Sequence, residues 1–264
     1  MELLEINNLK YQSIFKDISI QVPAEKFVTV SGGNNCGKTT LIRILSGEIE
    51  TKETIKLFGG YIEEYPTNLW KEITGTIIPQ DNIKFLFPTI EEELHYIISL
   101  FKKNSDEKEE TYKEIIKKYK LLKFTKKNPN EVPLYIKIKV LLAEKMLASP
   151  QILFLDDIAQ ELTLKEQDEF IKLLRTLQQE TKVSIIMTTS DLNIALESDY
   201  LFIIDQGKIL LKGEPLGIME KDNVLNKIGL DLPFMIDLSV KLRDYNVVEN
   251  IELNMDRMVD TIWK

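Results

Sequence analysis

The chain has 264 residues, of which 44% are hydrophobic and 29% charged, a composition typical of a globular protein with a substantial core. Its net charge of −8 disfavours a nucleic-acid-binding protein, because such proteins are usually basic. A single cysteine excludes an internal disulfide, and no apolar run approaches the roughly 18 residues that a membrane-spanning helix needs.

The first third of the chain predicts β-structure. Three short segments are rich in branched residues and bounded by turn formers: LLEINNL, KDISIQV and KFVTVSG. The third is nearly all apolar, which is typical of a strand buried on both faces. It leads through a glycine-rich stretch into KTTLIRILSG, where Leu41, Ile44 and Leu45 share a helical face and Gly47 is placed to end the helix.

The stretch between that strand and helix fits the phosphate-binding pattern G-x-x-x-x-G-K-[ST]. Backbone N–H groups of such a loop wrap phosphate oxygens, the lysine reaches the β and γ phosphates, and the hydroxyl after it ligates Mg²⁺. The alternative, a chance turn, is disfavoured by the strand before it and the helix after it. The predicted nucleotide-binding residues of the loop are Gly32, Gly33, Asn34, Asn35, Cys36, Gly37, Lys38, Thr39 and Thr40.

Three loop residues have a second interpretation. Asn34 and Asn35 tolerate left-handed backbone better than most residues, so they can replace glycine there. Cys36 is either a reactive thiol at a helix N-terminus or a small buried spacer, and we favour the spacer.

The rest of the chain predicts helices followed by a parallel sheet. Residues 89–148 are expected to be helical, with a helix beginning at Ser105. Buried strands QILFLDD and VSIIMTTS then alternate with helical segments, and YLFIIDQGKILLKGEP predicts a hairpin turning at Gln206 and Gly207. A polar helical tail follows from about Asp222. Asp156, at the end of a buried strand, is a candidate magnesium ligand; the alternative is a helix-capping aspartate.

This order of motifs resembles the ATP-binding cassette (ABC) ATPases. Tyr11 matches the aromatic residue that the family places against adenine, and Gln80 the glutamine that contacts nucleotide and metal and links them to a transmembrane partner. FPTIEEEL resembles the start of the family's helical subdomain. IGLDLPFMIDLSVKLRDYNVVE and MDRMVDTIWK resemble the C-terminal region of the energy-coupling factor (ECF) transporter ATPases.

The resemblance implies an α/β P-loop NTPase fold of ABC type. It would have a mixed core sheet, an N-terminal antiparallel β subdomain, a helical subdomain at about 89–148 and a small C-terminal helical tail. We expect a nucleotide-binding domain over 1–221 and an ECF-like extension over 222–264.

The resemblance also implies ATP and Mg²⁺ as cofactors, a second ABC ATPase as partner, and a transmembrane coupling protein with a substrate-binding membrane protein. No nucleic acid is expected. The protein would lie at the cytoplasmic face of the membrane, bound peripherally, and the opening residues lack a signal peptide's pattern. We expect the docking groove near Gln80 and Glu91, Glu92 and Glu93, although these glutamates also suit a helix N-terminus.

The chain departs from the family where hydrolysis is concerned. In place of the signature L-S-G-G-Q it has Val132-Pro133-Leu134-Tyr135-Ile136, and no glycine occurs between Gly75 and Gly207, so no alignment restores the motif. The lost glycines matter because backbone must approach the γ-phosphate closely. We expect Leu134 and Tyr135 to obstruct that approach.

Three further positions are altered. Asp157 stands in place of the glutamate that positions water, and misplacement by about 1 Å predicts a large loss of rate. Ser190 stands in place of the switch histidine; the one histidine of the chain, His95, lies in the helical region. The segment Gln160–Thr163 lacks the aspartate that usually ends it.

The sequence therefore predicts an ABC-type ATPase subunit of an ECF transporter, with attenuated hydrolysis and dependent on a partner ATPase. Nucleotide-holding residues are kept while hydrolytic ones are altered, which favours a heterodimer over a homodimer. Two alternatives stay open: a non-hydrolytic ATP-binding regulatory module, and a soluble cassette ATPase of repair or translation, which the acidic charge disfavours.

Overall fold

The computed structural model describes residues 2–52, 54–79, 81 and 83–263. Its strands are β1 Glu2–Tyr11, β2 Phe15–Pro23, β3 Phe27–Ser31, β4 Ile55–Leu57, β5 Gly60–Tyr61, β6 Thr74–Ile77, β7 Ile152–Asp156, β8 Ser184–Thr189, β9 Tyr200–Asp205 and β10 Lys208–Gly213. Its α-helices are α1 Lys38–Leu45, α2 Thr67–Ile73, α3 Ile90–Phe101, α4 Ser105–Lys118, α5 Leu134–Leu147, α6 Leu164–Thr181, α7 Leu192–Leu196, α8 Pro215–Met219, α9 Asp222–Lys227, α10 Phe234–Asp244 and α11 Met255–Ile262.

One mixed sheet organises the chain, in the spatial order β5-β4-β1-β2-β10-β9-β3-β8-β7-β6. Strands β9, β3, β8, β7 and β6 are parallel neighbours, while β1 pairs antiparallel with β2 and β4. The antiparallel strands join the parallel ones through β2 and β10, where Lys208 lies opposite Asp17 in a parallel pair. The β9–β10 hairpin turns at Gln206 and Gly207, both with positive φ, as the sequence predicts.

The parallel strands are buried on both faces because their apolar side chains alternate between two cores. Phe27, Leu153 and Ile185 point into the core under the helical subdomain and α6. Their neighbours Val28, Phe154 and Ile186 point into the other core, with α1 and the antiparallel strands. All five residues of β3 and of β7 are buried, which confirms the interpretation of the apolar runs.

The region predicted to be helical contains α3, α4 and α5, which pack on one another through apolar residues such as Ile98, Ile116 and Leu142. Helix α4 begins at Ser105, as predicted, but its cap is Asn104, whose side chain accepts the hydrogen bond from the Asp106 N–H. Asparagine is a strong N-cap, so it takes the role that serine would otherwise have. His95 stacks on Tyr112, with ring centroids 4.3 Å apart.

The tail packs on the cassette through a third core. Leu225, Ile236 and Val240 share that core with Leu201 and Ile203 of β9. A domain boundary between 221 and 222 stays a prediction, and residues on both sides of that point share this core.

Candidate functional site

The backbone conformation of the loop between β3 and α1 requires glycine at two positions. A Cβ on Gly32 would lie 2.4 Å from the carbonyl oxygen of Ile204. Gly37 has φ +101°, and a Cβ there would lie 2.6 Å from Cγ2 of Ile14. Asn35 is left-handed with φ 60°, as expected, whereas Asn34 does not have positive φ. The backbone therefore forms a concave turn of the kind that cradles phosphate.

Lys38 spans this turn from the first residue of α1. Its ammonium donates to the carbonyl oxygen of Gly32 at 2.9 Å and to that of Gly33 at 3.2 Å. The side chain is buried, with 9% of the residue exposed. The lysine charge is thus held in the concavity of the loop, where a phosphate would lie.

Asp156 lies at the carboxyl end of β7, beside the second residue of α1. Thr39 Oγ1 donates to Oδ2 of Asp156 at 2.7 Å, and Thr188 Oγ1 donates to Oδ1 at 2.6 Å. Asp156 is completely buried. A hydroxyl oxygen and a carboxylate side by side are hard oxygen ligands that suit Mg²⁺, so Thr39 and Asp156 fit the predicted metal role.

Asp157 follows in left-handed backbone, with φ 43° and ψ 34°. Its N–H donates to the carbonyl and hydroxyl oxygens of Thr188, at 3.0 and 3.1 Å. Its buried Oδ1 has no hydrogen-bond partner among the described residues. Burial raises the pKa of Asp157 to about 6, against an opposing effect of the Lys38 ammonium. A buried carboxylate oxygen without a hydrogen-bond partner disfavours the charged form, which agrees with the raised pKa of Asp157.

These groups open onto a cavity of about 560 Å³. It is lined by Ile14, Asn34, Asn35, Cys36, Gly37, Lys38, Thr39, Thr40, Asp157 and Gln160. Most predicted loop residues and Asp157 therefore meet at one cavity. Tyr11 ends β1 and packs on the core beside the loop without lining the cavity, so its adenine role stays a prediction. Gln80 lies outside the described residues.

Gln160 lines the phosphate cavity. The sequence assigns it no role beyond the segment Gln160–Thr163, which lacks its usual aspartate. The Nε2 of Gln160 donates to Oγ of Ser190, the residue that the sequence predicts to stand in place of the switch histidine. Ser190 itself lines a second cavity of about 350 Å³, together with Gly33, Asn34 and Asp231 of the tail. No pattern in the sequence pairs residues 30 apart in two loops, so sequence reasoning does not find Gln160. It does not find Thr188 for the same reason.

Cys36 is half-buried, and its Sγ would lie 2.6 Å from a Cβ on Gly32. Burial raises the pKa of the thiol, outweighing the lowering effect of Lys38. A thiol with a raised pKa is a poor nucleophile near neutral pH. These observations support the spacer interpretation over the reactive thiol.

The segment in place of the signature begins α5, with Pro133 as its N-cap. The Tyr135 ring is not at the surface: only 6% of the residue is exposed, and the Lys139 ammonium lies 4.1 Å from its centroid. Leu134 is half-buried at the first turn of α5. The obstruction expected from Leu134 and Tyr135 concerns a nucleotide held by a partner subunit, so it stays a prediction.

The three glutamates expected at a docking groove have different environments. Glu93 is buried and accepts from the N–H groups of Leu86 and Phe87, both at 2.8 Å. Glu91 pairs with Lys126 at 2.6 Å, and Glu92 is exposed. Glu93 therefore fixes the preceding loop and is not available to a basic partner.

Comparison with known proteins identifies the family. The family described as "ABC transporter" matches residues 15–160, more than half of the chain. The chain belongs to the ABC transporter family. The ABC fold predicted from the sequence is thereby confirmed, with the phosphate loop and Asp156 inside the matched region.

The curated relatives extend the similarity over the whole chain. The energy-coupling factor transporter ATP-binding protein EcfA1 of Enterococcus faecalis is 25% identical over 272 residues, covering 99% of this chain and 97% of its own length. The energy-coupling factor transporter ATP-binding protein EcfA of Pediococcus pentosaceus is 24% identical over 263 residues, covering 96% and 94%.

Two solved structures share the fold. CbiO1 of Clostridium perfringens, part of the ABC transporter complex cbiONQ, has a TM-score of 0.75 and 22% identity, covering 88% of this chain and 96% of its own. A dimeric ATP-binding cassette in a post-hydrolysis state with ADP and Pi has a TM-score of 0.68 and 18% identity, covering 81% and 99%. No helix among the described residues is long and apolar enough to cross a membrane.

Proposed function

We propose that this ABC ATPase is the ATP-binding subunit of an energy-coupling factor transporter, with attenuated hydrolysis, serving uptake of a vitamin or other micronutrient. The observation that carries the proposal is the extent of the similarity to relatives named for that role, which covers 99% of the chain and so includes the tail. The intact phosphate site supports the ATP-binding half of the proposal.

In this proposal the phosphate loop binds the phosphate groups of the nucleotide. The Lys38 ammonium exchanges its loop carbonyl partners, at 2.9 and 3.2 Å, for phosphate oxygens, and the α1 N-terminus adds its positive end. Thr39 and Asp156 would hold Mg²⁺, which supplies neutralisation of phosphate charge when bound. Thr188 keeps the Asp156 carboxylate oriented.

Hydrolysis would be slow because the group that positions water is short and partly protonated near pH 6. Asp157 presents a carboxylate oxygen without a partner among the described residues, but one methylene nearer the backbone than glutamate. Beside it, the Gln160 amide and Ser190 hydroxyl occupy the region of the missing histidine. A glutamine amide can orient an attacking water, as it does in other P-loop enzymes, so some activity is expected.

In the proposal, a second ATPase subunit completes the nucleotide sites of the dimer. In an ABC dimer each nucleotide lies between one subunit's phosphate loop and the other's signature. A homodimer of this chain would present Leu134 where backbone must approach phosphate, at both sites. A competent partner supplies a normal signature to this chain's loop, and that favours a heterodimer at the cytoplasmic face of the membrane, bound peripherally.

In the proposal, the docking groove for the transmembrane coupling protein is the loop before α3. Glu93 anchors the N–H groups of Leu86 and Phe87, and Asn130 binds the backbone of Phe85 through both its oxygen and its nitrogen. Leu86 is held outward with 79% exposure. A rigid loop that presents an exposed leucine suits contact with an apolar helix of a scaffold.

The test is co-purification from membranes together with nucleotide binding. Wild type should retain an ATPase partner and a membrane scaffold, and bind Mg·ATP. Lys38→Ala should weaken ATP binding to this chain by at least about tenfold without loss of partners. The exposed-lysine variant Lys10→Ala serves as a control. Failure of wild type to bind ATP, with no partner retained, would overturn the proposal.

The docking surface has its own test. Leu86→Asp should release the membrane scaffold while ATP binding is kept, because a charge replaces the exposed apolar contact. Leu210→Asp, at an exposed leucine of β10, should retain the scaffold. If the two variants retained the membrane scaffold equally, the docking groove would not include Leu86.

The second candidate is a non-hydrolytic module that uses ATP as a structural or sensing ligand. Ser190 and the glycine-free segment from 76 to 206 favour it, because both remove groups that act on the γ-phosphate. Normal transport by a complex in which this chain's site never hydrolyses ATP would favour this second candidate.

A further inference from the structure

A cavity lies between α4, α5 and α6, away from the phosphate loop. Its volume is about 660 Å³, within the range of small-molecule sites. It shares no lining residue with the phosphate cavity.

A buried lysine lies in its wall. Lys139 of α5 is only 5% exposed, and its ammonium lies 4.1 Å from the centre of the Tyr135 ring. No carboxylate among the described residues lies within ion-pair distance of it. Burial lowers the pKa of Lys139, against an opposing effect of the Glu169 and Glu166 carboxylates, which lie too far away to form an ion pair. The ammonium is therefore buried in contact with an aromatic ring and without a direct ion pair among the described residues.

The rest of the lining adds positive charge. Four more lysines surround the cavity, and three glutamates face them; the lysines are Lys117, Lys118, Lys120 and Lys172, and the glutamates Glu114, Glu169 and Glu180. Among these described residues, one ion pair is formed, between Lys118 and Glu180 at 2.6 Å. The cations therefore exceed the carboxylates, although the whole chain is acidic.

The lining chemistry selects among anions. All its cations are lysines, which act as point charges towards phosphate, whereas planar carboxylates are matched by the arginine fork. Tyr119, Tyr135 and Leu173 supply apolar wall beside the charges. We propose that the cavity between α4, α5 and α6 is a binding site for a small phosphorylated molecule, with Lys139 as its central phosphate ligand.

This proposal is independent of the proposed transport function and is tested without ATP hydrolysis. The probe is inorganic pyrophosphate, titrated calorimetrically at physiological salt into full-length protein carrying Lys38→Ala, which disables the phosphate loop. Lys139→Met is added to that background, since methionine keeps the apolar stem and removes the charge. The matched control is Lys137→Met, on the same helix but outside the cavity lining.

The expected result is saturable binding in the Lys38→Ala background and with Lys137→Met, weakened at least about tenfold by Lys139→Met. Absence of saturable binding in the background would overturn the proposal. So would equal weakening by the Lys137 and Lys139 variants, which indicates general attraction to lysines. If Lys139→Met fails to fold, as shown by thermal unfolding, Lys172→Met at the exposed rim takes its place, and unchanged binding then contradicts the site.

Discussion

Asp157 and Lys38 show how single residues set what the nucleotide site can do. The lysine is held in the loop by two carbonyl oxygens, ready to exchange them for phosphate. The aspartate is half-buried, in left-handed backbone, with one carboxylate oxygen unpartnered among the described residues. Residues held in such backbone with unmet hydrogen bonds often lie at functional sites, where stability is lost for activity.

The Asp157 carboxyl should therefore destabilise the fold above pH 6. Its pKa is about 6 in the folded chain, against 3.8 for an aspartate in an unfolded one. The folded form thus holds the proton more tightly, and stability falls as pH rises from about 4 to 6. Asp157→Asn removes the charge and should raise the free energy of unfolding by about 1 kcal/mol at pH 7.5, after allowance for solvent screening.

Urea denaturation of wild type and Asp157→Asn at pH 7.5 and near pH 4 checks this. The gain should disappear at the lower pH, where both chains are largely uncharged at this position. The exposed Asp17→Asn serves as the control and should show no gain. A variant less stable than wild type at pH 7.5 would show that the carboxylate has a stabilising partner.

At this scale the sequence predicts the donors and acceptors of the site but not their pairing. The phosphate-loop spacing identifies Lys38 and Thr39, and the strand end identifies Asp156. Thr188 could not be assigned, because its contact with Asp156 depends on the register of β7 against β8, where Asp156 lies opposite Thr188. Register between distant strands is set by tertiary packing and cannot be derived from local pattern.

At the scale of elements, a buried aromatic ring fixes the start of α5. Tyr135, which the sequence predicts to stand in place of a signature glycine, is buried, and the Lys139 ammonium lies 4.1 Å from its ring centroid. Burial of this ring raises the pKa of the phenol, with Glu169 nearby adding to the effect. Tyr135 is now part of the core, so a reversion to glycine would remove packing that the chain depends on.

Tyr135→Gly should therefore lower the free energy of unfolding by about 3–5 kcal/mol, the usual cost of removing a buried aromatic side chain. Leu134→Gly, half-buried at the same turn, should cost about 1–2 kcal/mol. Urea denaturation of the two variants measures the difference. Equal, small losses would mean that the Tyr135 ring does not contribute to the core.

The elements that the sequence predicts are those with long or continuous apolar patterns, such as β3, β7, β8 and α6. The short β4, β5 and β6 and helix α2 are not identified individually. β4 has three residues and β5 has two. Strands that short have no periodicity to detect and exist only because neighbours pair with them. For these short elements, the resemblance to a known family predicts the fold better than the local sequence pattern does.

At the scale of the whole molecule, the tail contacts the phosphate loop. The carbonyl oxygen of Ile228 lies 2.8 Å from the point where a Cβ on Gly33 would be. Gly229 and Asp231 line one cavity with Asn34 and Ser190. Nucleotide that orders the loop should therefore also order the tail segment at 225–232.

Amide hydrogen exchange of wild type with and without Mg·ATP tests this coupling. Exchange at residues 225–232 should slow on addition of Mg·ATP, because the loop beneath them becomes more rigid. Lys38→Ala, which weakens the nucleotide contact, should show no such change. Unchanged exchange in nucleotide-saturated wild type would show that nucleotide binding does not order the tail segment.

We propose that this chain holds ATP while a partner ATPase does most of the hydrolysis. The most direct measurement is steady-state ATP turnover by the complex purified from membranes, with Asp157→Asn compared to wild type and bound ATP counted in each. We expect unchanged ATP occupancy and turnover within about twofold of wild type, because Asp157 would contribute little to the total rate. A loss of turnover beyond about tenfold with full occupancy would contradict it, and would show that this site is the hydrolytic one.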